Sequence, residues 1–349
     1  MREPLDVARY IFMNEEDELR SGWRVLAFLL FSVLGALLLV ALTKVIAILF
    51  PSLRPLLDEP SESGSSSSAL GPLYVDNLRS LGATVIASAI SCRLLERRSF
   101  GSIGYKLHRH WLRDFLLGSA VGAAALAIAV GIAAAAGAIT FSVQTRGFAT
   151  LAQGFSIAFS FFLIAAATEE LIFRGFPFQA FAHNLGGVAA IAITSVVFGL
   201  VHASNPSASV FPVINTMLAG VWLGIAYLLT RSLWLAIALH FSWNFAMVFI
   251  FGLPVSGITA LEKTAWLRGY IGTPEWLSGG QYGPEAGAVA TVALILATLV
   301  IWKSGLFKQS EEMRAATQHG KREPVYVKIA LDNEASNSSE ADREQDQVT

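Results

Sequence analysis

The sequence predicts an all-α, polytopic membrane protein with about eight transmembrane helices. Of its 349 residues, 54% are hydrophobic and only 15% are charged, and the mean hydropathy is +0.55. A soluble domain has about 25% charged residues, so this composition excludes an ordinary soluble globular protein. The apolar residues are also grouped in runs of about 20, the length that spans the hydrocarbon core of a bilayer.

Eight apolar runs predict the spanning helices. We place them at 24–50, 78–95, 115–140, 152–182, 187–203, 211–230, 233–252 and 286–303. The first run follows a charged segment and is longer than the apolar core of a signal peptide, so we expect an anchor that is not cleaved. The glycine pairs Gly118/Gly122 and Gly220/Gly224 predict close packing between helices.

The chain divides by composition into four predicted segments. These are a cytoplasmic N-terminal segment 1–22, N-terminal transmembrane helices 23–150, a transmembrane core 151–303 with the candidate catalytic residues, and a tail 304–349. The tail is charged and rich in serine and asparagine, so we expect it to be disordered and cytoplasmic.

The lysines and arginines near the helix ends predict the orientation. The loop 93–113 contains the largest group, namely Arg93, Arg97, Arg98, Lys106, Arg109 and Arg113. The loops 51–77, 141–151 and 204–210 contain one basic residue or none before the helix that follows. Because cytoplasmic loops carry the excess of basic residues, we expect loop 93–113 and both termini to be cytoplasmic.

Several classes of site are excluded by the sequence. No basic stripe with interleaved aromatic residues is present, so nucleic acid is not an expected partner. The one cysteine, Cys92, excludes an intrachain disulfide and a cysteine-based zinc site. The sequence contains neither a phosphate-binding glycine loop nor an HExxH motif.

Polar residues inside the predicted helices are the candidates for function, because a charge at the bilayer centre costs about 2.5–3.5 kcal/mol or more. They are Lys44, Glu169, Glu170, Arg174, His202, Asn215, His240 and Asn244. Lys44 lies near a helix end, from which its amine can reach the interface. Asn215 is explained by a hydrogen bond between helices.

The segment "EELIFR" contains three of these charges. Glu170 and Arg174 are four residues apart, so they share a helix face and can pair. Glu169 points about 100° away and has no local partner. A carboxylate without a counter-charge in a low-dielectric site tends to have a raised pKa, which suits a general base. A purely structural role for all three charges leaves Glu169 unexplained.

Helix geometry permits the remaining polar residues to meet Glu169 in one layer. Glu169 lies roughly 26 Å before the predicted break at Gly186–Gly187, and His202 lies roughly 23 Å after it. His240 and Asn244 share a helix face roughly 12–18 Å from the next predicted turn.

Such a set of side chains is sufficient for hydrolysis by two routes. Glu169 and His202 could activate a water, while His240 and Asn244 donate hydrogen bonds to the oxyanion of a tetrahedral intermediate. Alternatively, Glu169, His202 and His240 could hold a divalent metal such as zinc, whose bound water is the nucleophile.

Three motifs in successive helices resemble the CPBP intramembrane proteases, also called the Abi or CAAX prenyl protease 2 family. The motifs are "EELIFR" (Glu169 to Arg174), "FGLVH" (Phe198 to His202) and "HFSWN" (His240 to Asn244). The resemblance covers about residues 150–252 and implies an eight-helix intramembrane endopeptidase.

The resemblance also implies roles for the matching residues. Glu169 and His202 would activate the water, and His240 and Asn244 would stabilise the transition state. Glu170, Arg174 and Phe198 would support the site. We favour a water activated without metal, although the family name includes metalloproteases. Alanine-rich helices and a serine-rich loop suggest a bacterial cell membrane, where the partners would be membrane lipid and a membrane-protein or lipidated-peptide substrate.

Two other functions fit the sequence. One is a non-enzymatic bacteriocin-immunity or scaffold protein with the same fold. The other is a proton-coupled transporter that uses Glu169 and the histidines as a relay. The chain lacks the repeated broken helices that many transporters contain.

Overall fold

The computed structural model describes residues 11–14, 18–57, 70–262 and 265–317. Its principal elements, in chain order, are α1 (Ser21–Leu49), α2 (Leu70–Leu95), α3 (Trp111–Ala135), β1 (Ile139–Val143), α4 (Phe148–Phe173), α5 (Phe176–Leu185), α6 (Gly187–Val201), α7 (Val210–Thr230), α8 (Leu233–Phe245), β2 (Leu267–Ile271), α9 (Ala288–Lys303) and α10 (Glu311–Thr317). A π-helical turn, Ala246–Ile250, directly continues α8.

The chain is an integral, all-α membrane protein. Within the described residues, seven helical segments are long and apolar enough to cross a membrane, with α4 and α5 counted as one segment, Phe148–Leu185. The eighth predicted run, 286–303, forms the shorter apolar helix α9, which has 16 residues. The predicted fold class is therefore confirmed, and the expected number of long spans is reduced from about eight to seven.

A small antiparallel sheet follows α3, where the sequence predicted continued helix up to residue 140. Strand β1 pairs with β2 from Ile139 opposite Ile271 to Val143 opposite Leu267. The sequence of β1, "ITFSV", is rich in β-branched and aromatic residues, which favour a pleated strand. Its partner lies more than 120 residues later, so local patterns could not reveal the pairing.

The predicted helix 152–182 is interrupted directly after the "EELIFR" motif. Helix α4 ends at Phe173, and α5 begins at Phe176 with Pro177 in its first turn. A proline fits a first turn because the missing N–H has no partner there. A Cβ atom on Gly175 would collide with the carbonyl oxygen of Leu171, so only glycine fits this tight junction.

The beginning of the predicted disordered tail is ordered, which corrects the prediction for 304–317. Helix α10 buries Met313 and Thr317, one turn apart on the same face. Arg231 donates a hydrogen bond from Nη1 to Thr317 Oγ1 at 3.1 Å, and Arg98 donates from Nη2 to the carbonyl oxygen of Ala316 at 3.1 Å. The prediction was based on the polar composition of the whole tail, which does not reveal a short amphipathic helix within it. Residues 318–349 of the tail lie outside the described residues, as do 1–10 and 15–17 of segment 1–22.

The helices connect two ends of the molecule. We call one the basic end: it comprises residues 18–20, 96–110, 186, 231–232 and 304–317. Its segments are joined by hydrogen bonds from Leu233 N to Gly104 O (2.9 Å) and from Trp234 Nε1 to Lys106 O (3.2 Å). We call the other the loop end: it comprises residues 50–57, 136–147, 202–209 and the described part of 251–287.

Helix α8 lies at the centre of the bundle and packs closely against α3. A Cβ atom on Gly118 would lie 2.8 Å from Leu235 Cδ1, and one on Gly122 would collide with the carbonyl oxygen of Leu239. On the other side, a Cβ atom on Gly220 of α7 would lie 2.8 Å from the Cα of Ser195 in α6. The glycine pairs therefore bring these helices into contact, as predicted.

Candidate active site

A buried ion pair forms the floor of the site. Arg174 Nη1 donates to Glu170 Oε1 at 2.9 Å, and neither side chain is exposed to solvent. The second guanidinium nitrogen, Nη2, donates to the carbonyl oxygen of Gly220 at 3.0 Å. The close approach of α7 at this glycine thus supplies an acceptor for Arg174. The pairing predicted from the four-residue spacing is present, and it fixes α4 to α7.

His240 is held by the same carboxylate. Its Nδ1 lies 2.8 Å from Glu170 Oε1, and the ring is largely buried in α8. An ionised carboxylate only accepts hydrogen bonds, so Nδ1 donates the proton. The ring therefore presents Nε2 in the direction of Glu169. Glu170 links Arg174 to His240, a role that spacing within one helix could not reveal.

Glu169 lies between the two histidines. Its Oε2 atom is 3.8 Å from His202 Nε2 and 3.8 Å from His240 Nε2. The side chain is 31% exposed, yet Oε2 itself is buried and has no hydrogen-bond partner among the described residues. The structure thus brings together the three side chains that the depth argument placed in one layer.

His202 is oriented by the helix that carries it. Its Nδ1 lies 2.7 Å from the carbonyl oxygen of Phe198, one turn earlier. Because a carbonyl oxygen can only accept, Nδ1 carries the hydrogen and the neutral ring has its lone pair on Nε2, facing Glu169.

The ring of Phe198 packs against three groups of the site. Its centroid lies 4.6 Å from that of His202, 6.0 Å from that of His240 and 4.7 Å from the guanidinium carbon of Arg174. The contact with Arg174 has the geometry of a cation–π interaction. The first residue of the "FGLVH" motif therefore fixes the positions of the charged and histidine side chains.

All four predicted catalytic side chains line one cavity of about 510 Å³. Glu169, His202, His240 and Asn244 share it with mostly apolar and aromatic neighbours, including Phe161, Phe162, Ile172, Trp222 and Leu294. Asn244 lies one helical turn after His240, two residues before the π-helical turn, and is partly buried. A largely apolar cavity with a few convergent polar groups is the usual form of a small binding site.

The cavity is also lined by polar residues that sequence reasoning did not predict as site residues. They are Asn77 on α2, Asn205, Thr216, Ser256 and Glu285. Glu285 accepts hydrogen bonds from Trp243 Nε1 (3.2 Å) and from the backbone nitrogen of Ser256 (2.6 Å). This carboxylate thereby attaches the loop end to α8. The contacts join segments that are distant in sequence, so spacing gave no signal for them.

Asn215 and Lys44, for which the sequence indicated structural roles, have positions that agree with those roles. Asn215 donates to the carbonyl oxygens of Glu285 (2.8 Å) and Gly287 (3.2 Å), and it accepts from Thr291 Oγ1 at 2.7 Å. It also contributes to the cavity wall. Lys44 is exposed near the end of α1 and lies outside the cavity lining.

A metal site would require Glu169, His202 and His240 to bind one ion. Zinc binds nitrogen and oxygen ligands at about 2.0–2.2 Å, so two ligand atoms 3.8 Å apart would subtend a wide angle at the ion. In the part of the chain that the structure describes, no group of three His, Cys, Asp or Glu side chains has the spacing to hold a metal ion. In the conformation described, Glu169, His202 and His240 do not fit a three-ligand zinc site.

The comparison with known families extends over the helices that carry these residues. The family model described as "Type II CAAX prenyl endopeptidase Rce1-like" matches residues 149–246. Residues 149–246 are Rce1-like. This match includes all three motifs and confirms the resemblance to the CPBP proteases. No curated protein and no solved structure gave a significant match to the chain.

The Rce1-like segment contains the candidate catalytic residues and most of the residues that line the cavity. It extends from α4 to the first residue of the π-helical turn and thus includes Glu169, His202, His240 and Asn244. Asn77, Ser256, Glu285 and other lining residues lie outside it. The floor and most of the wall are therefore formed by the Rce1-like segment, and the rest of the chain completes the wall on α2, on the loop end and on α9.

Proposed function

We propose that the protein is an intramembrane endopeptidase that hydrolyses peptide bonds with a water activated by Glu169 and His202. The observation that carries this proposal is the position of Glu169 Oε2, 3.8 Å from the Nε2 atoms of both histidines inside a membrane-embedded cavity. The Rce1-like match supports a protease of the CAAX type.

The geometry between Glu169 and His202 suits a shared water. A separation of 3.8 Å is too long for a direct hydrogen bond but is readily bridged by one water molecule. Glu169 would accept one proton of this water. The lone pair on His202 Nε2 would accept the second hydrogen bond and direct the water oxygen toward the substrate.

His240 and Asn244 would stabilise the charge that develops on the substrate oxygen. Glu169, Glu170 and Arg174 together have one unbalanced negative charge, which a protonated His240 balances. In that form His240 donates from Nδ1 to Glu170 and from Nε2 to the oxyanion. The amide of Asn244 supplies a second donor one turn away, and each such donor contributes about 2.7–4 kcal/mol to catalysis.

The proposed reaction proceeds through a tetrahedral intermediate. Glu169 takes a proton from the water as the water oxygen bonds to the carbonyl carbon, and the carbonyl oxygen becomes the oxyanion. The bond from carbon to nitrogen then breaks, and the proton on Glu169 passes to the leaving nitrogen. The immediate products are a carboxylic acid and an amine, and Glu169 is again a carboxylate. Transfer of the acid's proton to the amine gives a carboxylate and an ammonium group, so all atoms and charges balance.

The cavity also indicates the class of substrate and partner. Its aromatic and aliphatic wall within the bilayer favours a polypeptide that is anchored in, or delivered by, the membrane, including a lipidated peptide. Membrane lipid is the surrounding partner. We retain a bacterial cell membrane as the proposed location, on the composition of the sequence.

The test uses purified full-length protein in lipid vesicles with a membrane-anchored peptide library. Mass spectrometry of the new termini should show cleavage by the wild type and its loss in His202→Ala, with insertion and folding retained. Undiminished cleavage by pure His202→Ala would contradict the proposal.

Metal content is measured on the same preparations. We expect cleavage to persist in a strong chelator, with no stoichiometric metal in the active protein. Loss of cleavage in chelator and recovery with zinc would replace the metal-free mechanism by the metal-bound one, while the protease assignment would stand.

A further inference from the structure

The cavity that contains Glu169 lies toward the loop end of the molecule. His202 directly follows the last residue of α6 and is the first residue of the loop-end segment 202–209. Five other loop-end residues, Asn205, Val255, Ser256, Ile258 and Glu285, line the cavity. Two lining residues, Val201 and Ile258, are 56% and 48% exposed, so they mark an accessible rim.

The path from the cavity to the basic end is filled by protein. None of the residues that line the cavity belongs to the basic end. Below the cavity, the side chains of Glu170 and Arg174 are fully buried. From Leu233 to Leu239, every α8 residue except Trp234 is buried. The described residues therefore leave the cavity accessible near the loop end and closed toward the basic end.

The two ends differ in their basic residues. Those at or next to the basic end are Arg20, Arg24, Arg93, Arg97, Arg98, Lys106, Arg109, Arg113, Arg231, Lys303, Lys308 and Arg314. Among the described residues, those at or next to the loop end are Lys44, Arg54, Arg79, Arg146 and Arg268. Because an excess of lysine and arginine in short loops keeps them in the cytoplasm, the basic end is assigned to the cytoplasmic side.

We infer that the cavity opens on the non-cytoplasmic side of the membrane. Its substrates are then polypeptide segments exposed on that side, close to the bilayer surface, such as the juxtamembrane region of an anchored protein. The apolar rim residues Val201 and Ile258 fit a segment that approaches along the bilayer. This inference names the substrate class and rests on the proposed protease function, but the orientation itself can be measured without activity.

The orientation is tested by single-cysteine labelling of the full chain in intact bacterial cells. Cys92 is fully buried, so its replacement by alanine gives a background without cysteine. Ser209→Cys reports on the loop end, and the matched Leu107→Cys reports on the basic end; both residues are exposed. A membrane-impermeant maleimide is applied before and after permeabilisation.

We expect Ser209→Cys to be labelled in intact cells as fully as after permeabilisation, and Leu107→Cys to be labelled only after it. The opposite pattern, or equal labelling of both positions in intact cells, would overturn the inference. Ile258→Cys and Lys308→Cys provide a second pair of exposed positions if either first variant fails to fold.

A pair of reporter substrates separates this inference from the proposed function. Each reporter has one membrane anchor and the same cleavable segment, placed on the non-cytoplasmic side in one and on the cytoplasmic side in the other. We expect cleavage of the first alone, and its loss in Glu169→Gln. Glu169-dependent cleavage of the cytoplasmic segment alone would overturn the inference and leave the protease function intact. Predicted labelling without Glu169-dependent cleavage of either reporter would instead contradict the function.

Discussion

Two clusters of histidine and carboxylate side chains lie beside α8, and they differ in their exposure. At the basic end, His108 Nε2 lies 3.1 Å from Ser232 Oγ and 3.8 Å from Asp114 Oδ2. We call this the closed cluster. Toward the loop end, Glu169 lies 3.8 Å from both His202 and His240. We call this the open cluster.

The two clusters have similar chemistry but differ in access. In the closed cluster His108 and Asp114 are only 2% exposed, and Ser232 accepts a hydrogen bond from the backbone nitrogen of Trp234 as the N-cap of α8. In the open cluster Glu169 is 31% exposed and lines the cavity. A cluster whose side chains resemble a catalytic group can thus serve only to cap a helix. Exposure to a cavity distinguishes the open cluster from such a cap.

The largest expected effect on stability is that of replacing Arg174, which pairs with Glu170 beneath the open cluster. Arg174→Leu leaves Glu170 buried without its cation, which should lower the free energy of unfolding by about 3–5 kcal/mol. Unfolding of the purified protein in detergent micelles measures this change. The double variant Glu170→Gln, Arg174→Leu removes both charges and should recover part of the loss. Equal stability of wild type and Arg174→Leu would show that the pair does not support the site.

The oxyanion donors should affect turnover without a comparable loss of stability. Asn244→Ala is expected to reduce kcat by about 10²–10³, the usual effect of losing one such donor. Single-turnover cleavage in vesicles measures the rate. His108→Ala, from the closed cluster, is the control and should leave kcat unchanged. If Asn244→Ala raised KM alone, Asn244 would bind substrate and not the transition state.

The close contact between α3 and α8 fixes the relative positions of the helices beside the two clusters. Gly122→Ala places a methyl group against the carbonyl of Leu239 and should destabilise the protein by about 1–3 kcal/mol. The matched variant is Gly131→Ala on the same helix, where no atom lies within 4 Å of the added Cβ. It should stabilise the helix by about 0.5–1 kcal/mol. The two thermal unfolding curves should therefore shift in opposite directions.

The sequence predicted the open cluster better than it predicted the wall around it. Glu169, Glu170 and Arg174 could be recognised because charges inside an apolar helix are costly and their spacing is local. The pairing of Glu170 with His240 and the contacts of Glu285 join residues far apart in the chain, and no periodicity reports them. The closed cluster was missed for the same reason.

The helix boundaries also show that local sequence patterns predict some features, whereas features that depend on long-range contacts were not predicted. The apolar runs located the spanning helices within about five residues, except that α2 begins at Leu70, eight residues before the predicted start at 78. The break at Gly175, the strand pair β1–β2 and the ordered helix α10 depend on contacts that composition averages conceal. In α10, burial of Met313 against the basic end overrides the polar character of its segment.

The smallest expected effect is the pH dependence contributed by the closed cluster. Burial lowers the pKa of His108 below 6.5, in spite of the attraction of Glu312. Below pH 6.5 the unfolded chain takes up a proton more readily than the folded protein, so stability should fall as the pH decreases. One such group contributes at most about 1.4 kcal/mol per pH unit. Unfolding measured from pH 7.5 to 5 should show a shallower decline in His108→Gln, and identical slopes would contradict this account.

The most direct test compares one matched substitution in each cluster, Glu169→Gln and Asp114→Asn. Each replaces a carboxylate by its amide, and both purified full-length proteins are assayed for peptide cleavage in lipid vesicles under the same conditions. Since Glu169 is the proposed general base, Glu169→Gln should lower the rate by about 10²–10⁴, whereas Asp114→Asn should retain the wild-type rate. Retained cleavage in Glu169→Gln, or an equal loss in both variants, would contradict the claim that Glu169 activates the water.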